Sequence, residues 1–103
     1  MNPFGNPKQL MKQLQQAQER IQKEIQALEI EATSGGGMVQ VVMDGQKNLK
    51  SLKIDPEVVS KDDVEMLQDL VTAAVNEAGR KVDEAVQEKM AGLTAGLNIP
   101  GLF

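Results

Sequence analysis

The sequence contains no cysteine, histidine, tryptophan or tyrosine. Without cysteine and histidine, the chain has none of the ligands of the usual zinc sites, no cysteine nucleophile, no Ser/His/Asp triad and no disulfide. An enzyme built on carboxylates would need a coherent acidic cleft, for which the sequence shows no pattern. We therefore expect a protein that is not an enzyme and that uses no cofactor, no metal ion and no small-molecule substrate.

Aromatic side chains are almost absent, since the only two are Phe4 and Phe103, near the ends of the 103-residue chain. The core must consist of Val, Leu, Ile, Met and Ala, which bury less area per residue than aromatic rings do. Such a subunit is marginally stable alone, so we expect a second copy to complete the core in a homodimer. The same lack disfavours single-stranded nucleic acid as a partner, because base stacking needs aromatic platforms.

Long apolar runs are also missing, and none approaches the roughly 20 residues that a membrane span requires. Pro3, Phe4 and Pro7 stand where a secretory signal would have a basic stretch before an apolar run. We therefore expect no membrane association and a cytoplasmic location.

Charge is unevenly distributed along the chain, although the formal net charge is −4. Residues 1–23 carry four basic side chains against the single acid Glu19, and residues 45–54 carry three lysines and no acid. Residues 55–69 carry six acids against Lys61. A chain with this asymmetry can present a basic surface despite its acidic total.

Two helices are predicted from apolar residues spaced three and four apart. The first spans residue 8 to about residue 26, has coiled-coil-like spacing and is widened on its apolar side by Met11. Its other faces carry seven glutamines, interpreted either as a solvated surface or as donors to phosphate oxygens. The second runs from Ser60, in a capping-box-like start with Asp63, to about Gly92. A helix of about 30 residues spans about 45 Å, so it must project or lie along a partner.

Between the helices, alternating apolar residues predict three short strands, near residues 28–33, 38–44 and 48–55. Leu49 is out of phase with Leu52 and Ile54, which indicates a bulge or a sheet edge. The Ser34–Gly37 stretch favours a hairpin turn over a phosphate cradle, because it lacks a following Lys-Ser/Thr and precedes a strand. We expect an α+β fold: a long N-terminal helix, a three-stranded antiparallel sheet and a long C-terminal helix. Residues 8–92 would form this single α-βββ-α domain, residues 1–7 a disordered tail and residues 93–103 a flexible tail whose apolar residues alternatively dock on a partner.

The acidic pair Asp62 and Asp63 is more simply explained by helix capping than by metal binding. Basic residues on the two helices form the more informative set, because pairing of two subunits would double them into a band that faces one DNA duplex. The alternative is that these basic residues form an ordinary solvated surface. The candidate DNA-binding residues are Lys12, Arg20, Lys23, Arg80, Lys81 and Lys89.

The order of several local motifs from about Lys8 to Leu97 resembles the YbaB/EbfC family of bacterial nucleoid-associated proteins. The segments that carry the resemblance are Leu10-Met11-Lys12-Gln13, the glycine-rich turn, Ile54-Asp55-Pro56, Asp69-Leu70-Val71-Thr72-Ala73-Ala74-Val75-Asn76, Arg80-Lys81 and Lys89-Met90-Ala91. The resemblance implies a tweezer-like homodimer whose helical arms grip double-stranded DNA. It places Lys12, Arg80, Lys81 and Lys89 at matching positions, whereas Arg20 and Lys23 share the first helix but no such motif.

Together with these patterns, the resemblance implies a nucleoid-associated homodimer that binds duplex DNA largely non-specifically and affects DNA conformation, nucleoid organisation and gene expression. Nothing in the sequence indicates recognition of particular base edges. The alternative is a protein-protein interaction module that grips its partner with coiled-coil-like arms, with DNA binding secondary.

Overall fold

The computed structural model describes residues 6–97 and shows two helices flanking a three-stranded sheet. The elements are α1 (Pro7–Gln26), β1 (Glu29–Ser34), β2 (Val39–Asp44), β3 (Leu49–Ile54) and α2 (Val64–Leu97). Short 3₁₀ turns occupy Gly35–Gly37 and Pro56–Val58. The α+β class and the α-βββ-α order predicted from the sequence are confirmed.

Helix α1 starts one residue earlier than predicted. The side chain of Asn6 accepts a hydrogen bond of 3.0 Å from the backbone N–H of Lys8, and Pro7 occupies the first turn, where its missing N–H costs nothing. The expectation of a tail over residues 1–7 is therefore wrong for Asn6 and Pro7, which begin the helix. The rest of that segment lies outside the described residues.

The sheet is an antiparallel meander in the order β1-β2-β3, so β3 is an edge strand. Ala32 pairs with Val41, which pairs with Leu52, and this register places all three on the same face. A bulge opposite Val42 and Met43 makes Lys50 the extra residue of β3. Leu49 thereby returns to the face of Leu52, which explains why its spacing in the sequence was out of phase.

Helix α2 differs from its prediction at both ends. Its first residue is Val64, and the capping side chain is Asp63, whose Oδ1 accepts a hydrogen bond of 3.0 Å from Met66 N–H. Ser60, the predicted cap, instead accepts from Asp62 N–H in the preceding turn, at 3.2 Å. At the other end the helix passes Gly92 and Gly96 and ends at Leu97, since each glycine costs a helix only about 1 kcal/mol. Residues 98–103, the rest of the predicted flexible tail, lie outside the described residues.

The core is formed by one face of α2 against β1 and β2. Small residues Ala74 and Ala78 are fully buried, and they let the helix approach the sheet closely over Val39 and Val41. The hydroxyl of Ser34 donates to the carbonyl of Leu70 at 2.6 Å and ties the first turns of α2 to the end of β1. As expected from the composition, the buried core cluster contains only Val, Met and Ala.

The molecule is elongated, with extents of 75 × 22 × 16 Å, because both helices extend beyond the sheet. Val86 is the residue furthest along α2 that packs against the core cluster. Beyond it α2 runs beside α1, where Met90 lines a groove with Ile21 and Ile25, the first of which is buried. We call α1 together with residues 87–97 of α2 the helical arm.

The loop between β2 and β3 is closed by the carboxylate of Asp44. This carboxylate accepts hydrogen bonds from the backbone N–H groups of Gln46 at 2.9 Å and Asn48 at 2.8 Å, and from the Asn48 side chain at 3.2 Å. The hydrogen bond from the Asn48 backbone is the main reason why the pKa of Asp44 lies below its usual value of 3.8. The loop has four residues, in agreement with the prediction of a connection longer than two.

The lowered pKa of Asp44 predicts a pH-dependent contribution to stability. Because the folded state holds the carboxylate in its ionised form, the contribution is complete above the unfolded-state pKa of about 3.9 and disappears as the pH falls through the lower folded-state value. Asp44→Asn should therefore lose stability relative to the wild type at pH 6, and the difference should shrink towards pH 2. Urea unfolding from pH 2 to pH 7 measures this. Asp62→Asn, at a carboxylate that makes no hydrogen bond within the described part of the chain, is the matched control, and equal pH profiles for both variants would contradict the assignment.

Candidate nucleic-acid interface

The outer side of α1 carries a row of cations. At 3.6 residues per turn, Lys8, Lys12 and Lys23 fall within a sector of about 60°. That sector points away from the apolar side of the helix, on which Ile21 is buried. Arg20 lies about 60° further around the helix than Lys23. We call Lys8, Lys12, Arg20 and Lys23 the α1 basic row.

The four side chains of the α1 basic row are exposed, and none of them makes a hydrogen bond or an ion pair with another described residue. The seven glutamines of α1 are exposed around them. The helix has two acids, of which Glu19 falls inside the same sector as the lysines and Glu24 about 100° beyond it. The face therefore offers unpaired positive charge and amide donors together, a combination suited to the phosphate oxygens of a nucleic acid.

Arg80 on α2 is in a different situation, because it is held between two carboxylates of its own helix. Its Nε donates to Glu77 at 3.2 Å, a second nitrogen also donates to Glu77, and Nη1 donates to Glu84 at 2.6 Å. The hydrogen bond with Glu77 raises the pKa of Arg80 and lowers that of Glu77. The positive charge of Arg80 is thus locally compensated by two acids.

The other two candidate cations on α2 also have partners. Lys81 Nζ donates to the backbone carbonyl of Glu31 at 3.3 Å, where it covers the free edge of β1. Lys89 Nζ lies 3.7 Å from Glu24 Oε2, so this pair joins α2 to α1 across the arm. Residues 77–89 carry four acids against three basic residues. Arg80, Lys81 and Lys89 therefore do not form a surface of free positive charge.

A search by family model matches residues 3–97 to the YbaB/EbfC DNA-binding family. The chain belongs to this family. Its relatives include nucleoid-associated protein Acid345_1974 of Koribacter versatilis, 54% identical over 96 residues that cover 93% of this chain and 95% of that protein. Nucleoid-associated protein Teth39_2199 of Thermoanaerobacter pseudethanolicus is also 54% identical, over 101 residues that cover 95% and 91% of the two chains. The resemblance stated from the sequence motifs is confirmed.

Among solved structures, the uncharacterized protein HP0035 from Helicobacter pylori has the same fold as this YbaB/EbfC chain. The TM-score is 0.73 at 22% sequence identity, and the match covers 91% of this chain and 99% of the other. At this identity the likeness concerns the fold alone.

The fold of this YbaB/EbfC member divides the predicted site residues into two groups. Lys12, Arg20 and Lys23 lie on the open side of α1, together with Lys8, whereas Arg80, Lys81 and Lys89 are engaged by acceptors within the chain. The pairing of Arg80 had a signal in the sequence, since Glu77 and Glu84 stand three and four residues away on a helix. The partners of Lys81 and Lys89, 50 and 65 positions distant, had none.

The glycine-rich turn and the acidic pair have structural roles. The three glycines of the glycine-rich turn adopt φ values of 59°, 68° and 92°, and the turn joins β1 to β2 as a hairpin connection. Asp63 serves as the cap of α2. Over residues 6–97 no group of three or more acidic side chains is arranged to hold a metal ion, and no helix is long and apolar enough to cross a membrane.

Proposed function

We propose that this YbaB/EbfC protein binds double-stranded DNA as a homodimer, largely without sequence specificity, in the bacterial nucleoid. The observation that carries the proposal is the α1 basic row, whose four cations are exposed and have no partner among the described residues. Family membership supports DNA as the partner, and the relatives named nucleoid-associated proteins support the location. Lysine and arginine contacts to phosphates supply affinity without information on sequence.

The homodimer is supported by apolar surface that the single chain leaves uncovered. Helix α2 packs on β1 and β2, so Leu49 and Leu52 on the same face of β3 remain 44% and 42% exposed. Val59, Val64 and Met66 follow between β3 and the first turn of α2 and are exposed as well. This uncovered apolar segment, residues 49–66, contains five of the seven exposed large hydrophobic residues of the described chain. A second copy with the same segment would bury it and extend the small core.

In such a dimer each subunit contributes one helical arm, so two α1 basic rows are available to one duplex. Duplication doubles the number of phosphates that the protein can neutralise, which suits a protein whose total charge is −4. Binding of this kind coats or bends DNA. Effects on nucleoid organisation and gene expression would follow from changed DNA conformation and not from recognition of a defined site.

The salt dependence of DNA affinity tests the proposal. Fluorescence anisotropy with a labelled duplex of about 30 base pairs should give a log-log slope of about −0.9 for each phosphate neutralised. The variant Lys12→Gln/Arg20→Gln/Lys23→Gln should bind at least about tenfold more weakly at low salt, and its slope should flatten by about 0.9 for each phosphate that is no longer neutralised. The matched control Arg80→Gln/Lys81→Gln/Lys89→Gln removes the same charge from α2 and should weaken binding less.

Three results would overturn this assignment. Equal decreases in affinity for the two triple variants would show that net charge, and not the α1 basic row, determines affinity. A DNA affinity that is unchanged in both triple variants, or no binding of the wild type at low salt, would favour the alternative of a protein-protein interaction module. That alternative is supported by the groove along the arm, where apolar Ile21, Ile25 and Met90 lie between glutamines.

A further inference from the structure

Met11 is the most exposed large hydrophobic residue of the described chain, at 70%. The sequence pattern predicted that it widens the apolar stripe of α1, and the structure leaves it exposed at the edge of that stripe, beside Leu14. Met11 lies in the second turn of α1, 14 residues and thus about 21 Å along the helix from Ile25, whose carbonyl lies against the β2–β3 loop. It is therefore near the free end of the arm, far from the uncovered apolar segment of the sheet.

The surroundings of Met11 are mixed, with two lysines, two glutamines and the apolar side chain of Leu14. Met11 lines a shallow groove with Lys8, Lys12, Leu14, Gln15 and Gln18, and none of these residues is acidic. Neither Lys8 nor Lys12 has an ion-pair partner among residues 6–97. An apolar side chain thus stands between two free ammonium groups and two amides.

We propose that Met11 acts as a wedge that enters the minor groove, presses on a base step and kinks the duplex. This inference rests on the proposed DNA binding and adds a mode of deformation to it. Proteins that bend DNA from the minor groove combine Lys, Arg, Asn or Gln at the groove with an apolar side chain, methionine among them, that partly unstacks a step. The lysines would meet the phosphates at the rim of the groove, and the thioether would meet the apolar faces of the bases.

The positive charge of the two lysines beside Met11 favours DNA over a protein as the partner that fills this groove. A partner helix would bury Met11 only by also covering two unpaired lysines, which costs free energy unless that partner supplies carboxylates at both positions. A duplex supplies phosphates on both sides of a groove floored by apolar base edges and sugars. In a homodimer the two arms carry two such wedges, so the protein bends DNA at two points.

Energy transfer between dyes at the two ends of a 30-base-pair duplex measures the bend. The variants are Met11→Gln, which keeps the length and helix propensity of the side chain but makes it polar, and Met11→Leu, which keeps it apolar. We expect the wild type and Met11→Leu to shorten the end-to-end distance by an amount that corresponds to a kink of about 20° or more. Met11→Gln should abolish the shortening and weaken binding by about tenfold, while the slope of affinity against salt stays that of the wild type.

Lys12→Gln is the electrostatic comparison, since it should reduce the salt slope, which Met11→Gln should leave unchanged. A straight duplex in all complexes, or equal bends for Met11→Gln and the wild type, would overturn the wedge. If DNA affinity still fell with salt in those experiments, the proposed DNA binding would stand. If the wild type did not bind DNA, both the wedge and the proposed DNA binding would be overturned. A change in the oligomeric state of Met11→Gln, measured by sedimentation, with an unaltered bend would also overturn the wedge and assign the residue to a protein contact.

Discussion

Gly45→Ala is expected to destabilise the protein by about 3 kcal/mol, a large fraction of the stability of a domain of this size. A Cβ atom at this position would overlap the carbonyl oxygen of Ile25 and lie 2.8 Å from the carbonyl carbon of the same residue. Because the obstacle is backbone near the end of α1, rotation of a side chain cannot relieve it. The root of the arm would have to move away from the β2–β3 loop.

Urea unfolding at a fixed protein concentration measures this effect, and Gly79→Ala is the matched control. Gly79 lies inside α2, where an added Cβ meets nothing within 4 Å. Alanine there should stabilise the helix by about 0.5–1 kcal/mol, since glycine is the poorer helix former. A Gly45→Ala protein as stable as the wild type would mean that α1 is not seated on the loop in solution.

The second large effect concerns the proposed homodimer. Leu49→Lys/Leu52→Lys should weaken dimerisation by more than about a thousandfold, because it removes two apolar side chains from each copy and puts charges in their place. Sedimentation equilibrium should then find a dimer for the wild type and a monomer for the variant at micromolar concentration. The salt slope of DNA binding should fall by about half, since only one α1 basic row remains for each bound protein.

Ser51→Lys controls for the added charge on the strand. Ser51 pairs with Val42 on the opposite face of the sheet, so lysine there should leave the dimer intact. A dimer that persists in the double leucine variant would place the interface away from the uncovered apolar segment. A monomeric wild type would refute the homodimer itself.

Most of the fold could be predicted from local patterns. The alternation around Val39 and Val41 and the three- and four-residue spacing through Ala74, Ala78 and Val82 match the buried faces found in the structure. Even the irregular position of Leu49 indicated its bulge. The ends of the elements were less predictable, because Ser60 and Asp63 are both good caps and only the path of the chain from β3 decides which one is used.

The structure divides the candidate site residues that were named from the sequence. At 3.6 residues per turn Lys8, Lys12 and Lys23 share one side of α1, and the structure leaves that side open. The same kind of reasoning placed Arg80, Lys81 and Lys89 in a basic band. Their partners on neighbouring turns, on β1 and on α1 show that charge along a chain does not report charge at a surface.

The sequence alone established the order of the elements through its periodicity, the exclusion of cysteine and histidine chemistry through its composition, and the resemblance to the YbaB/EbfC family through its local motifs. The periodicity and the motifs involve residues that are close together in the chain. Which cations stay unpaired, which strand keeps its leucines exposed and where Met11 points were decided by the tertiary structure. These properties depend on contacts between distant residues, such as Lys89 with Glu24, and on which part of the sheet α2 covers. The contacts exist only once packing of the core has set the position of α2 over the sheet and beside α1.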